Sequence, residues 1–178
     1  MNADEWMQQM LKEERAQNFV RSLEIVPIRP DAEFEAVIGA AFAKGTTREV
    51  HTVNGEDGVV IKMAYPRAIA ANWYEYMVWS EARDTRWAGV LGKVHSISES
   101  GKYLKMERLG DIDPKDYPIV PVIPYWLNDL KPNNFGKSSD GVVKVRDYGV
   151  VNLEFDLDEA LPYKPAFALQ KKITGNAL

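Results

Sequence analysis

With 178 residues, 46% of them hydrophobic, the chain is long enough for one substantial core or two small lobes sharing a cleft. A net charge of −4 and a pI near 5.3 argue against a general nucleic-acid or membrane-surface binder. The absence of cysteine excludes a disulfide framework and Cys-ligated zinc, and two histidines, His51 and His95, leave little for a His-rich metal site.

The acidic start, Met1 to Trp6, has no apolar core of signal-peptide type. No stretch approaches the roughly 18 consecutive apolar residues needed to span a bilayer. The expectation is a cytoplasmic protein that binds neither nucleic acid nor membrane. Residues 3 to 23 read as an amphipathic helix capped near Asn2 or Asp4. Trp6, Met7, Met10 and Leu11 share a face that Ala16, Phe19, Val20 and Leu23 continue. Pro27 and Pro30 end it.

From Phe34 to Ala64 the pattern changes. Val50 to Val53, a turn over Asn54 to Gly58, and Val59 to Ala64 read as strand, turn, strand. A helix follows from about Ala68 to Arg83. Val90 to Ile97 and Tyr103 to Leu109 form a second hairpin around Ser98-Glu99-Ser100-Gly101. Four prolines between residues 110 and 125 exclude a long helix there. After a loop over Asn128 to Asn134, a third hairpin turns at Ser138 to Gly141. Its second strand, Val142 to Arg146, runs into Asp147-Tyr148-Gly149.

Three charged positions break these patterns. Lys62 lies inside the apolar run Val59 to Ala64. Either it needs a buried anion beside it, or its strand is an edge from which the ammonium reaches water. Glu75 lies among Ala71, Val78, Trp79 and Ala82 on one helix face, where a carboxylate wants a cation, and Lys62 is the nearest candidate. Glu81 reads as solvated. The third position is the loop Asp129-Leu130-Lys131-Pro132-Asn133-Asn134, with Asp147 brought back beside it by the hairpin. Asn134 and Asp147 offer hard oxygen ligands of the kind Mg2+ takes together with substrate phosphates. A turn-rich surface loop is the plainer alternative.

In this order the residues resemble the protein-kinase catalytic core. Val60-Ile61-Lys62 is similar to the lysine strand and Glu75 to the helix-C glutamate. Asp129 to Asn134 matches the catalytic-loop pattern D-L-K-P-x-N, and Asp147-Tyr148-Gly149 resembles the D-F-G element. Tyr103 to Leu109 resembles the strand and hinge that meet adenine, with Met106 as gatekeeper and Glu107 and Leu109 as adenine contacts.

The resemblance, over roughly Phe34 to Asn152, implies an α+β fold. An antiparallel N-lobe sheet with helix C would stand on a much reduced C-lobe, since 29 residues follow Gly149. It divides the chain into residues 1–30 (helix and linker), 31–109 (N-lobe and hinge) and 110–178 (minimal catalytic lobe). It implies an ATP- and Mg2+-dependent serine/threonine protein kinase. Asp129 would accept the hydroxyl proton, Lys131 would steady the transferred group, Lys62 would hold phosphates with Glu75 positioning it, and Asn134 and Asp147 would bind metal.

The chain departs from the family pattern in three places. Leu127-Asn128 replaces the usual His-Arg. No A-P-E motif follows. The glycine-rich loop is weakly matched, either at Ile38-Gly39-Ala40-Ala41-Phe42-Ala43 or at Gly45-Thr46-Thr47. Compact kinases of this kind resemble those of bacteriophages, so host proteins are expected substrates or targets. A pseudokinase that blocks a partner through its surface, and a small-molecule kinase of the antibiotic-phosphorylating type, are the other readings. A short C-lobe leaves apolar surface that the N-terminal helix, the tail Ala166 to Leu169 or a second copy in a homodimer would cover.

Overall fold

The computed structural model describes residues 26–113, 122–123, 126–129, 131–149 and 164–165. The expected helix over residues 3–23 and the tail at 166–169 lie outside these. The described chain is mixed α+β: a six-stranded sheet, antiparallel except at one edge, with one long helix. In chain order the elements are β1 (Ile28–Arg29), α1 (Asp31–Glu35), β2 (Ile38–Lys44), β3 (Arg48–Val53), β4 (Glu56–Ala64) and α2 (Ile69–Ala82). A 3-10 turn (Arg86–Val90), β5 (Val94–Ser98) and β6 (Tyr103–Glu107) follow. Then come β7 (Val122–Ile123), a 3-10 turn (Pro132–Asn134), β8 (Phe135–Lys137), β9 (Val143–Val145) and β10 (Lys164–Pro165). The main sheet runs β1-β5-β6-β4-β3-β2, while β8-β9 and β7-β10 form two small ladders. No helix among the described residues is long and apolar enough to cross a membrane.

Each expected hairpin forms, and its turn chemistry explains why. The β3–β4 turn places Gly55 at φ 81°, a left-handed conformation that costs glycine nothing. β4 is the central strand of the site. Val60, Ile61 and Lys62 are buried in succession, as expected of a strand covered on both faces. On one face Ile61 packs with Phe34, Val53 and Tyr103. On the other, Val60 joins a larger core with Val78, Trp79, Leu91, Met106, Leu127, Phe135, Val145 and Tyr148. The segment after residue 125 therefore shares its core with the sheet.

Three differences from the sequence pattern have local causes. Residues 38–43, the first candidate phosphate cover, form β2 instead of a loop. A Cβ at Gly39 would lie 2.4 Å from Thr52 Oγ1, so this glycine serves close strand packing. The second candidate, Gly45-Thr46-Thr47, is the β2–β3 turn. The strand expected from Val90 starts only at Val94, because Leu91 and Gly92 pair elsewhere: Gly92 N donates to Val145 O at 2.8 Å, and Leu91 bridges Val145. Ile28–Arg29, enclosed by two prolines, adds an edge strand parallel to β5, a position where missing proline N–H groups do no harm.

Candidate active site

Lys62 and Glu75 meet. The helix expected over 68–83 forms over 69–82, and its inward face carries Asn72, Glu75, Val78, Trp79 and Ala82. Lys62 Nζ lies 2.9 and 2.8 Å from Glu75 Oε1 and Oε2. Lys62 is 6% exposed and Glu75 fully buried, so the edge-strand alternative for Lys62 does not hold. Lys62 Nζ also donates to the carbonyl of Arg146. Burial, and then the nearby Arg48 guanidinium, pull the Lys62 ammonium below its ordinary pKa. Glu81 is exposed, as its setting suggested.

Asp147 arrives from β9 on the same side. Tyr148 N donates to Glu75 Oε1 at 3.0 Å, and Tyr148 OH, fully buried, donates to Gly92 O at 2.7 Å. Gly149 passes so close under α2 that a Cβ there would lie 3.0 Å from Ala71 O. Tyr148 and Gly149 are thus fixed against the helix that carries Glu75. Burial alone would raise the Asp147 carboxyl; Lys62 and Arg48 outweigh it and hold the group at about 2.

Asn134 stands next to Asp147 through the backbone, since Arg146 N donates to Asn134 O at 2.7 Å. Its amide Nδ2 donates to Asp129 O at 2.6 Å. That bond turns the amide nitrogen toward Asp129 and leaves Oδ1 as the group able to coordinate a cation. Asp129 has φ 51°, the left-handed conformation that Asp tolerates better than most residues. Its Oδ1 lies 2.8 Å from Lys131 Nζ, and that hydrogen bond raises the lysine pKa, with attraction from Asp147 adding to it. Lys62, Glu75, Asn134 and Asp147 are therefore joined directly or through one backbone bond, with Asp129 and Lys131 tied to them through Asn134. Leu130 lies outside the described residues.

Glu107 and Leu109 are not brought into this cluster. The Glu107 carboxylate binds Lys144 Nζ at 2.9 Å through both oxygens and accepts from Lys93 N at 3.0 Å. Leu109 is buried, and its carbonyl accepts from Arg146 Nη1 at 3.5 Å. A cavity of about 510 Å3 lies beside Glu107, walled by Gly58, Val59, His95 and Lys144 among others, and includes none of Lys62, Glu75 and Asp147.

Two residues of the site were not singled out in the sequence. Arg48, at the start of β3, places Nη2 2.6 Å from Asp147 Oδ1 and Nη1 2.9 Å from Glu75 Oε2. Asn72 is fully buried and donates to the carbonyls of Lys62, Gly101 and Lys102 at 3.2, 2.9 and 3.0 Å, tying α2 to the sheet. Both were findable. Arg48, Val50 and Thr52 stand opposite Ala64, Lys62 and Val60, and directly paired residues share a face. Asn72 precedes Glu75 by three residues on the helix.

Arranged this way, the cluster supplies a fixed ammonium, the side-chain oxygens of Asn134 and of the Arg48-held Asp147, and a partly exposed Asp–Lys pair. Among the described residues no group of three or more His, Cys, Asp and Glu side chains forms a metal cage. Asn134 and Asp147 carry hard oxygens of the kind that Mg2+ takes, with few protein ligands and retained waters or phosphate oxygens. No protein-family model and no curated protein matches the chain.

Proposed function

We propose that the chain is a minimal protein-kinase-like phosphotransferase that uses ATP and Mg2+ to phosphorylate serine or threonine on protein substrates, host or partner proteins among them. The observation that carries this reading is the closure of the Lys62–Glu75 ion pair together with the docking of Tyr148 and Gly149, the residues after Asp147, against the same helix. Phosphoryl transfer asks for both together, because it depends on positioning and charge neutralisation more than on covalent chemistry.

In this reading Lys62 holds the α- and β-phosphates and Glu75 keeps its ammonium in place. Asn134 and Asp147 would hold Mg2+, which would neutralise charge on the phosphate oxygens. The Asp129 carboxylate orients the acceptor hydroxyl and takes its proton as the hydroxyl oxygen bonds to the γ-phosphorus. The bond from that phosphorus to the β–γ bridging oxygen breaks, and ADP leaves. Lys131, within reach of Asp129, balances negative charge on the phosphoryl group in flight. Adenine lies toward Glu107 and Leu109 at the end of β6. The Gly45–Thr47 turn supports the role of phosphate cover better than residues 38–43, which are committed to strand pairing.

The test is transfer of labelled γ-phosphate to a lysate or to the chain itself, with Asp129→Asn as control. Equal labelling by both proteins would remove the reading. A second reading, a binding module without catalysis, is favoured by one observation: Arg48 already occupies Asp147. It predicts that Lys62→Met and Asp147→Asn leave the biological effect intact.

A further inference from the structure

Arg48 has no part in the roles above, yet it holds the carboxylate that a metal would need. Its side chain is 7% exposed, so water weakens its contacts little. One edge is anchored on α2, with Nη1 at Glu75 Oε2 and, at 3.4 Å, at Asn72 Oδ1. Nη2 is divided, donating to Glu75 Oε1 at 3.2 Å and to Asp147 Oδ1 at 2.6 Å. A Mg2+ ion bound to a carboxylate oxygen stands about 2.0–2.1 Å from it. On the Arg48 side of Asp147 it would press against a fixed like charge, and in a half-buried site such a contact is strongly unfavourable.

We propose that Arg48 is an internal cation that competes with a divalent metal for Asp147, so that metal enters the Asn134–Asp147 pair only as the Arg48–Asp147 contact opens. This rests on the reading of Asp147 as a metal ligand. A nucleotide supplies the compensation, because the Nη2 N–H released from Asp147 can donate a charge-assisted hydrogen bond to a phosphate oxygen. Arg48 is also the residue immediately after the Gly45–Thr47 turn. Its carbonyl accepts from Gly45 N at 2.8 Å, and Tyr65 N bonds Thr47 O at 3.0 Å. One side chain therefore links the base of the hairpin to the metal ligand. Metal and triphosphate bind together, and metal alone binds weakly.

The test is Mn2+ binding to the full chain, measured by equilibrium dialysis as the metal held by the protein compartment over a protein-free compartment, with Mn2+ alone and with ATP. Arg48→Gln is expected to bind Mn2+ alone about tenfold or more tightly than wild type, since it removes a buried like charge beside the ion. Adding Asp147→Asn is expected to abolish that gain. ATP is expected to raise Mn2+ affinity far more in wild type than in Arg48→Gln. Should Arg48→Gln lose its circular-dichroism signature, Arg48→Lys carries the comparison, because its point charge cannot fork between Glu75 and Asp147; its expected Mn2+ affinity exceeds wild type. Wild-type affinity in the folded Arg48 variant, with binding still lost in Asp147→Asn, overturns the competition and leaves Asp147 a metal ligand. Binding that is indifferent to Asp147→Asn, or absent with and without ATP, overturns the metal-ligand reading and the competition with it.

Discussion

Lys62 Nζ lies within 2.9 Å of both carboxylate oxygens of Glu75, mid-strand to mid-helix, with both side chains withdrawn from water. The carboxylate is shared, because Arg48 reaches it at 2.9 Å from the other side. The sharing makes the two ends of the pair unequal. Glu75→Gln leaves buried Lys62 without a carboxylate and Arg48 with Asp147 alone, and should cost about 3–5 kcal/mol. Lys62→Met leaves Glu75 paired with Arg48 and should cost less, about 1–2 kcal/mol. Urea unfolding of the two variants checks this, and equal losses would show that Arg48 does not shoulder the charge.

Asp129→Asn should separate chemistry from folding. Asn adopts the φ of 51° found at this position as readily as Asp, so stability should change by less than about 0.5 kcal/mol. Phosphoryl transfer should fall by roughly 10^2–10^4-fold, the usual worth of a positioned base. Thermal melting and a γ-phosphate assay on the same preparation measure both.

Acid should weaken the fold through Asp147. Its carboxyl titrates at about 2 in the folded chain against an ordinary 3.8. A folded value below the unfolded one means the stabilisation is complete above the unfolded value. It is then lost as pH falls from 3.8 through about 2. The side chain is 43% exposed, so solvent screening reduces the contribution to about 1 kcal/mol. Between about pH 4 and pH 2, wild type should lose that much more stability than Asp147→Asn. Parallel losses would contradict the ion pairing.

Gly149→Ala should destabilise the chain by about 1–3 kcal/mol. The added methyl would meet Ala71 O at 3.0 Å and Glu75 Cγ at 3.4 Å, and helix backbone cannot swing aside as a side-chain tip can. Because Tyr148 N bonds Glu75, the same substitution should weaken ATP binding. Denaturant melts and a nucleotide titration check the two effects.

Much of this was legible in the sequence because alternation and turn residues are local signals. Val59 to Ala64 announced a doubly covered strand, and the helix was placed within one residue at each end. Lys62 and Glu75 stood out as charges in apolar settings. Arg48 did not, since Gly45-Thr46-Thr47-Arg48-Glu49 reads as an ordinary polar turn until strand register sets it opposite Ala64. The late start of β5 was hidden for a similar reason: Leu91 and Gly92 pair with β9, more than fifty residues on, and no local pattern reports so distant a partner. Asn72 carries no local signal of the bonds it makes, because its partners, the carbonyls of Lys62, Gly101 and Lys102, come from β4 and the turn between β5 and β6.

The most direct test of the account is a calorimetric titration of ATP in Mg2+ into wild type and Asp147→Asn. The account predicts saturable one-to-one binding to wild type and a clear loss of affinity in the variant, whose folded state should be preserved. No binding to wild type, or binding of equal strength to both, would contradict a nucleotide cleft built on Lys62 and Asp147.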